Sequence, residues 1–186
     1  MRKKEVEHFS RRIGLAKISL DLDSYNEIFS NFDPRPYSMR SLSDDFLIEA
    51  KKASIDKVSG QIELNFLVPR NKRNEREEVI IKKRLRAHFK KHYLIAKQEM
   101  SHVKKQGLAW IFVGMSIMLI ATMLIVKFQE SNFLTSFLIT LLEPAGWFLF
   151  WEGLDMVVFE AKRKKPEFEF YEKMSKAQIY FHNPTK

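Results

Sequence analysis

The sequence predicts an α+β membrane protein: a transmembrane helical hairpin with a long cytosolic helix extension and a small cytosolic α/β domain of two or three strands. Two apolar runs and short alternating segments at both ends of the chain carry that prediction. The 186 residues hold 32 Lys and Arg against 23 Asp and Glu, a formal charge of +9. A hydrophobic share of 45% beside a charged share of 30% excludes both a disordered chain and a mostly lipid-buried one. The absence of Cys excludes a disulfide scaffold, a Cys-ligated metal site and a cysteine nucleophile.

The region 1–74 reads as a cytosolic strand–helix–strand unit. Its first twelve residues, MRKKEVEHFSRR, lack an apolar core, so no signal peptide is expected. Ile18, Leu20 and Leu22 alternate with Ser19 and Asp21 as in a strand. Ser24 and Glu27 have capping-box spacing and predict a helical turn through Phe29. The prolines of Phe32-Asp-Pro-Arg-Pro-Tyr37 forbid regular structure. Ser43 followed by Asp44 and Asp45 predicts a helix start, with acids at the positive end of the dipole. That helix runs to about Lys57 and offers Phe46, Leu47, Ala50, Ala53 and Ser54 to a core. Gly60 turns the chain into Gln61–Val68, where Ile62, Leu64, Phe66 and Val68 form one strand face, ended by Pro69.

Residues 75–106 predict a basic cytosolic helix continuous with the first span. Residues 70–105 contain thirteen Lys and Arg against four acids, an excess equal to the net charge of the chain. Ile81, Leu85, Phe89 and Ile95 or Ala96 recur on one side as a packing stripe. Lys82, Lys83, Arg84, Arg86, Lys90 and Lys91 are the candidate anion-binding residues, with Arg35 and Arg40 as extra contacts. A flank of this kind holds anionic headgroups. Its reach, some 30–55 Å of helix for Arg70–Arg86, exceeds a Debye length of about 8 Å and suits a soluble polyanion. His88, Phe89, His92 and Tyr93 are placed either to stack on bases or to pack a helix face, and His88 and His92 lack the third ligand of a metal site.

Gly107–Val126 is uncharged over twenty residues, enough to span a bilayer core of roughly 30 Å. This predicts a span over 107–127 and, after a short polar gap, a second over 133–159, kinked at Pro144. Lysines precede the first span and Lys162–Lys165 follow the second, while the loop offers only Lys127 opposed by Glu130. The positive-inside rule therefore puts both termini in the cytoplasm, with Trp110 and Trp151 as interfacial anchors. The tail 160–186 is expected to pack back on the small domain, with a short helix over Glu167–Lys176 and a strand over Ala177–His182.

Glu143 falls near the bilayer midplane, at the depth of Ser116. Intramembrane acids usually mark function. Glu143 and Pro144 thus read as a gate or pore element, with Ser116 beside them and Glu152 and Asp155 at the mouth. The alternatives are a Glu143 hydrogen-bonded to Ser116, Thr122 or another subunit, and a Glu152–Asp155 pair serving the flanking cations. Ala145, Gly146 and Gly153 permit close helix approach and suggest a homo-oligomer, since two spans enclose no aqueous route. No nucleotide-binding glycine loop or hydrolase motif appears, so the chain reads as a non-enzyme needing no metal or cofactor.

Phe32-Asp-Pro-Arg-Pro36, Arg40-Ser-Leu-Ser-Asp-Asp45 and Trp151-Glu-Gly-Leu-Asp155 carry a resemblance to bacterial two-span proteins. Among these the chain resembles the membrane effectors of nucleotidyltransferase-linked antiphage systems of the Hailong type. The resemblance implies an oligomeric ion channel in the bacterial inner membrane, opened by an oligonucleotide that a partner nucleotidyltransferase makes. The competing expectation is a non-conducting membrane adaptor that anchors or regulates a cytosolic partner.

Overall fold

A computed structural model describes residues 16–55, 62–127 and 132–184. The extreme N-terminus, the helix end at Lys57, the Gly60 turn and Glu130 lie outside the described residues. The chain forms two compact units, one from the segment up to Leu94 together with Glu169 onward, the other from Ile95–Phe168.

The first unit is built on a three-stranded sheet in the order β1 (Ala16–Asp21), β2 (Ile62–Leu67), β3 (Gln178–His182). Both pairings are parallel, with Ile18 opposite Leu64 and Leu64 opposite Ile179. Parallel neighbours need long crossovers. The first contains α1 (Asp44–Ile55), and the second contains everything from α2 (Glu75–Lys127) to α4 (Ala161–Ser175). The alternating residues expected to face inward do so. Ile18, Ile62, Leu64, Phe66, Ile179 and Phe181 are buried on one sheet face. Against them pack Phe46 and Ala50 of α1, Ile81, Leu85 and Phe89 of α2, and Phe170 and Met174 of α4. Each such side chain contributes roughly 1.5–3 kcal/mol of burial.

Three local expectations need adjustment. Ser24 makes no capping bond, because Tyr25–Ile28 forms only a 3-10 turn whose Glu27 amide is already taken by the Ser24 carbonyl. Of the two alternatives that end the α2 stripe, Ile95 is exposed and Ala96 half-buried. The tail helix is longer than expected, starting at Ala161 and carrying Pro166 inside it.

The second unit contains α2 from Ile95, then α3 (Phe133–Asp155), a π-helical turn (Met156–Glu160) and the start of α4. The helix that carries the second apolar segment runs on past residue 159, through the π turn into α4. Helical assignment is continuous across Pro144. Both α2 and the α3–α4 segment are long and apolar enough to cross a membrane. They meet along a glycine seam. A Cβ on Gly114 would lie 2.6 Å from the Phe150 amide nitrogen, and one on Gly153 would lie 2.5 Å from the Gly107 carbonyl oxygen. The small residues expected to join subunits thus close the hairpin itself, Gly146 meeting Gly114 and Gly153 meeting Gly107.

Candidate functional site

Two groups of candidate residues occur, one in each unit. In the sheet unit, the α2 stretch after Glu75 turns Glu78, Ile81, Leu85 and Phe89 inward, so residues offset from these point out. Lys83, Arg86, Lys90 and Lys91 are exposed on α2. No ion pair to any described residue engages Lys83, Arg86 or Lys90. They form an open cationic face. Lys82 and Arg84 are committed elsewhere: the Lys82 ammonium lies 5.5 Å from the Phe181 ring centroid, and Arg84 Nε donates to the Arg40 carbonyl at 2.9 Å.

Arg35 and Arg40 are also engaged. Asp33 accepts both Arg35 Nε and Nη2, at 2.9 and 2.8 Å, and the Ser41 amide at 2.7 Å. The Arg35 guanidinium, and then the Ser41 amide, hold the Asp33 carboxyl well below the usual carboxylate range. Arg40 donates to the Ser30 carbonyl and to Asn26 Oδ1, both at 3.0 Å. These bonds brace the proline-rich segment, on which Phe32 stands almost fully exposed at 98%. The guanidiniums that looked free in sequence therefore shape a loop.

The aromatic cluster is likewise occupied. His88 stacks on His92 at 4.2 Å between centroids, and His92 stacks on Tyr171 at 5.1 Å. His88 Nε2 is buried and has no hydrogen-bond partner among the described residues. Burial first, then the neighbouring His92, Arg84 and Lys91, pushes the His88 pKa down to about 4. Neither imidazole is left as a free stacking platform. No cluster of metal-ligating side chains occurs among the described residues.

Sequence reasoning missed a buried ionic knot in this unit. Glu78 Oε1 and Oε2 accept Arg73 Nε and Nη2 at 2.8 and 3.0 Å, and Oε1 also accepts the Tyr25 hydroxyl at 3.0 Å. The Tyr25 oxygen in turn accepts the Asn74 amide at 2.9 Å, and Arg73 reaches Asn183. Three separated segments, at Tyr25, Arg73–Glu78 and Asn183, are joined where α2 begins. Only the odd placement of Glu78 on the apolar stripe of α2 hinted at it.

In the second unit Glu143 is exposed and has no hydrogen bond or ion pair to any described residue. Ser116 does not meet it. The Ser116 hydroxyl donates to the Phe112 carbonyl of its own helix at 2.8 Å, and Thr122 donates to Met118 at 2.9 Å. The hydrogen-bonding partners expected within the hairpin are therefore absent. Pro144 is exposed beside Glu143. Glu152 and Asp155 line an open groove of about 480 Å³ with Trp151 and Phe159. Asp155 pairs with Arg163 at 3.7 Å, as the reading in which these acids serve flanking cations requires.

Comparison with protein-family models, curated proteins and solved structures returns no match to this chain.

Proposed function

We propose that the chain is a subunit of an oligomeric membrane channel, a non-enzymatic effector opened by an anionic ligand on its cytosolic sheet unit. In this reading α2 and α3 cross the cytoplasmic membrane of a bacterium, and both chain ends stay inside. Sheet pairing supports an even number of crossings, because β2 and β3 hydrogen-bond to each other from opposite ends of the hairpin.

The observation that carries the proposal is Glu143. An acid in the middle of an apolar helix costs about 2.5–3.5 kcal/mol on insertion unless it gains a partner or water, and no described residue of the hairpin supplies a partner. A neighbouring subunit or a water-filled path relieves that cost, with Pro144 weakening the helix beside it. The ligand class rests on Lys83, Arg86, Lys90 and Lys91. An oligonucleotide fits this cationic face and agrees with the resemblance to effectors fed by a partner nucleotidyltransferase. To open the channel, it must bind the open state more tightly than the closed one. Planar-bilayer recording of the purified full chain, with and without single-stranded oligonucleotides, is the test. The proposal requires a conductance that Glu143→Gln alters. Silence with every oligonucleotide tried contradicts it.

A braced loop that presents Phe32 to solvent favours a second reading, a non-conducting adaptor docking a cytosolic protein through that aromatic. Under that reading Glu143→Gln leaves function intact, whereas Phe32→Ala abolishes it.

A further inference from the structure

α3 carries a polar stripe that the hairpin leaves unused. Ser136, Thr140 and Glu143 follow one another at helical spacings of four and three, and all three are exposed. The glycine seam that holds α3 to α2 runs beside this stripe, through Gly146, three residues beyond Glu143, and Gly153, and it leaves the stripe exposed. The Thr140 hydroxyl donates to the Ser136 carbonyl, but its oxygen keeps its capacity to accept. Neither the Ser136 hydroxyl nor the Glu143 carboxyl has a hydrogen bond to any described residue. Shifting the same spacing by two residues gives Leu134, Leu138 and Leu141 on the opposite side of the helix, exposed and wholly apolar. One flank of α3 suits lipid, and the other does not.

We propose that the Ser136–Thr140–Glu143 face is the surface on which a second copy of this chain docks. The inference rests on the reading above that α3 crosses a membrane, and it names the face through which copies meet. Hydrocarbon offers this stripe neither a donor nor an acceptor. The stripe is self-complementary, because its hydroxyls both donate and accept and its carboxyl oxygens accept from hydroxyls. Copies related by an axis along the membrane normal meet at equal depth, so each carboxyl faces its counterpart. The small residues that usually join membrane helices are already spent inside the hairpin, which leaves this polar face as the remaining contact.

The chain has no Cys, so single-cysteine variants report cleanly. Ser136→Cys and Thr140→Cys would be oxidised in native membranes beside Leu134→Cys, Leu138→Cys and Leu141→Cys. The expected result is covalent dimer at the first two positions, about tenfold above the leucine series. Dimer favouring the leucine series, or equal at all five, overturns the proposed face while leaving an oligomer standing. No dimer at any position, with a monomeric mass in mild detergent, overturns the face and the oligomeric channel together. Glu143→Gln keeps the hydrogen-bonding capacity and is expected to preserve the assembly, whereas Glu143→Leu is expected to shift it to monomer. Assembly that survives Glu143→Leu unchanged counts against the carboxyl's part in the contact.

Discussion

Glu78 shows what a single buried charge does when three donors meet it. Burial raises its pKa, but the Arg73 guanidinium and the Tyr25 hydroxyl outweigh burial and leave it lowered overall. A lowered carboxylate pKa contributes stability that is present above the unfolded value, near 4.5, and lost as pH falls through the folded one. Glu78→Ala strands the partly buried Arg73 and the Tyr25 hydroxyl and is expected to cost about 3 kcal/mol, read from thermal denaturation of the full chain at pH 7. His88 acts over a different window. Its folded pKa of about 4 lies below the ordinary histidine value of 6.5, so the unfolded chain binds the extra proton first as acid is added. Stability is therefore expected to fall between pH 6.5 and pH 4 and to level off below. The groups facing His88 are His92, Arg84 and Lys91, with Tyr171 stacked on His92. Replacing His88 by Phe keeps the ring and is expected to flatten that part of a melting-temperature profile. An unchanged slope would show that another group titrates there.

At the scale of elements, α2 changes its work along its length. Near Glu75 it is an amphipathic helix whose Ile81, Leu85 and Phe89 are fully buried, and beyond Gly107 it is apolar all round. Leu85→Ala is expected to cost about 3 kcal/mol, since the sheet and two helices close around it. Cations on α2 divide in the same way. Charge reversal at Lys83, Arg86 and Lys90 together is expected to lower oligonucleotide binding at least tenfold with little change in melting temperature. Reversal at Lys82 also removes the ammonium from the Phe181 ring and destabilises the sheet. The glycine seam allows a sharper comparison. At Gly114 an added Cβ meets two backbone groups within 2.7 Å, which cannot yield. At Gly146 the nearest atom is the flexible Met118 side chain, 2.6 Å away. Gly114→Ala is therefore expected to loosen the hairpin far more than Gly146→Ala, as measured by detergent-resistant melting of the full chain. Equal effects would mean that the helices slide freely.

For the whole molecule, periodicity made the fold largely legible. Alternation exposed three strands, and long apolar runs, the second interrupted by Glu143 and Pro144, exposed two long helices, because both patterns are written into neighbouring residues. Long-range choices were not. That the strands are parallel, with β3 completing a sheet begun at β1, depends on pairings more than a hundred residues apart. Cationic residues could be counted in sequence, but not sorted, because partners such as Phe181 for Lys82 and Asp33 for Arg35 are settled only by tertiary contact or tight turns. Glu143 was visible as an acid in an apolar run, whereas its having no hydrogen bond or ion pair to a described residue is settled by tertiary structure.

The claim on which the account rests is that the chain crosses the bilayer twice, keeping the sheet on one side. Single cysteines at Lys72, Asn132 and Gln178, probed on right-side-out vesicles with a membrane-impermeant maleimide, test it most directly. The account predicts labelling of Asn132→Cys alone in sealed vesicles, with Lys72→Cys and Gln178→Cys reacting only after lysis. Labelling of one of the latter two but not the other, or a chain recovered in the supernatant without detergent, would contradict it.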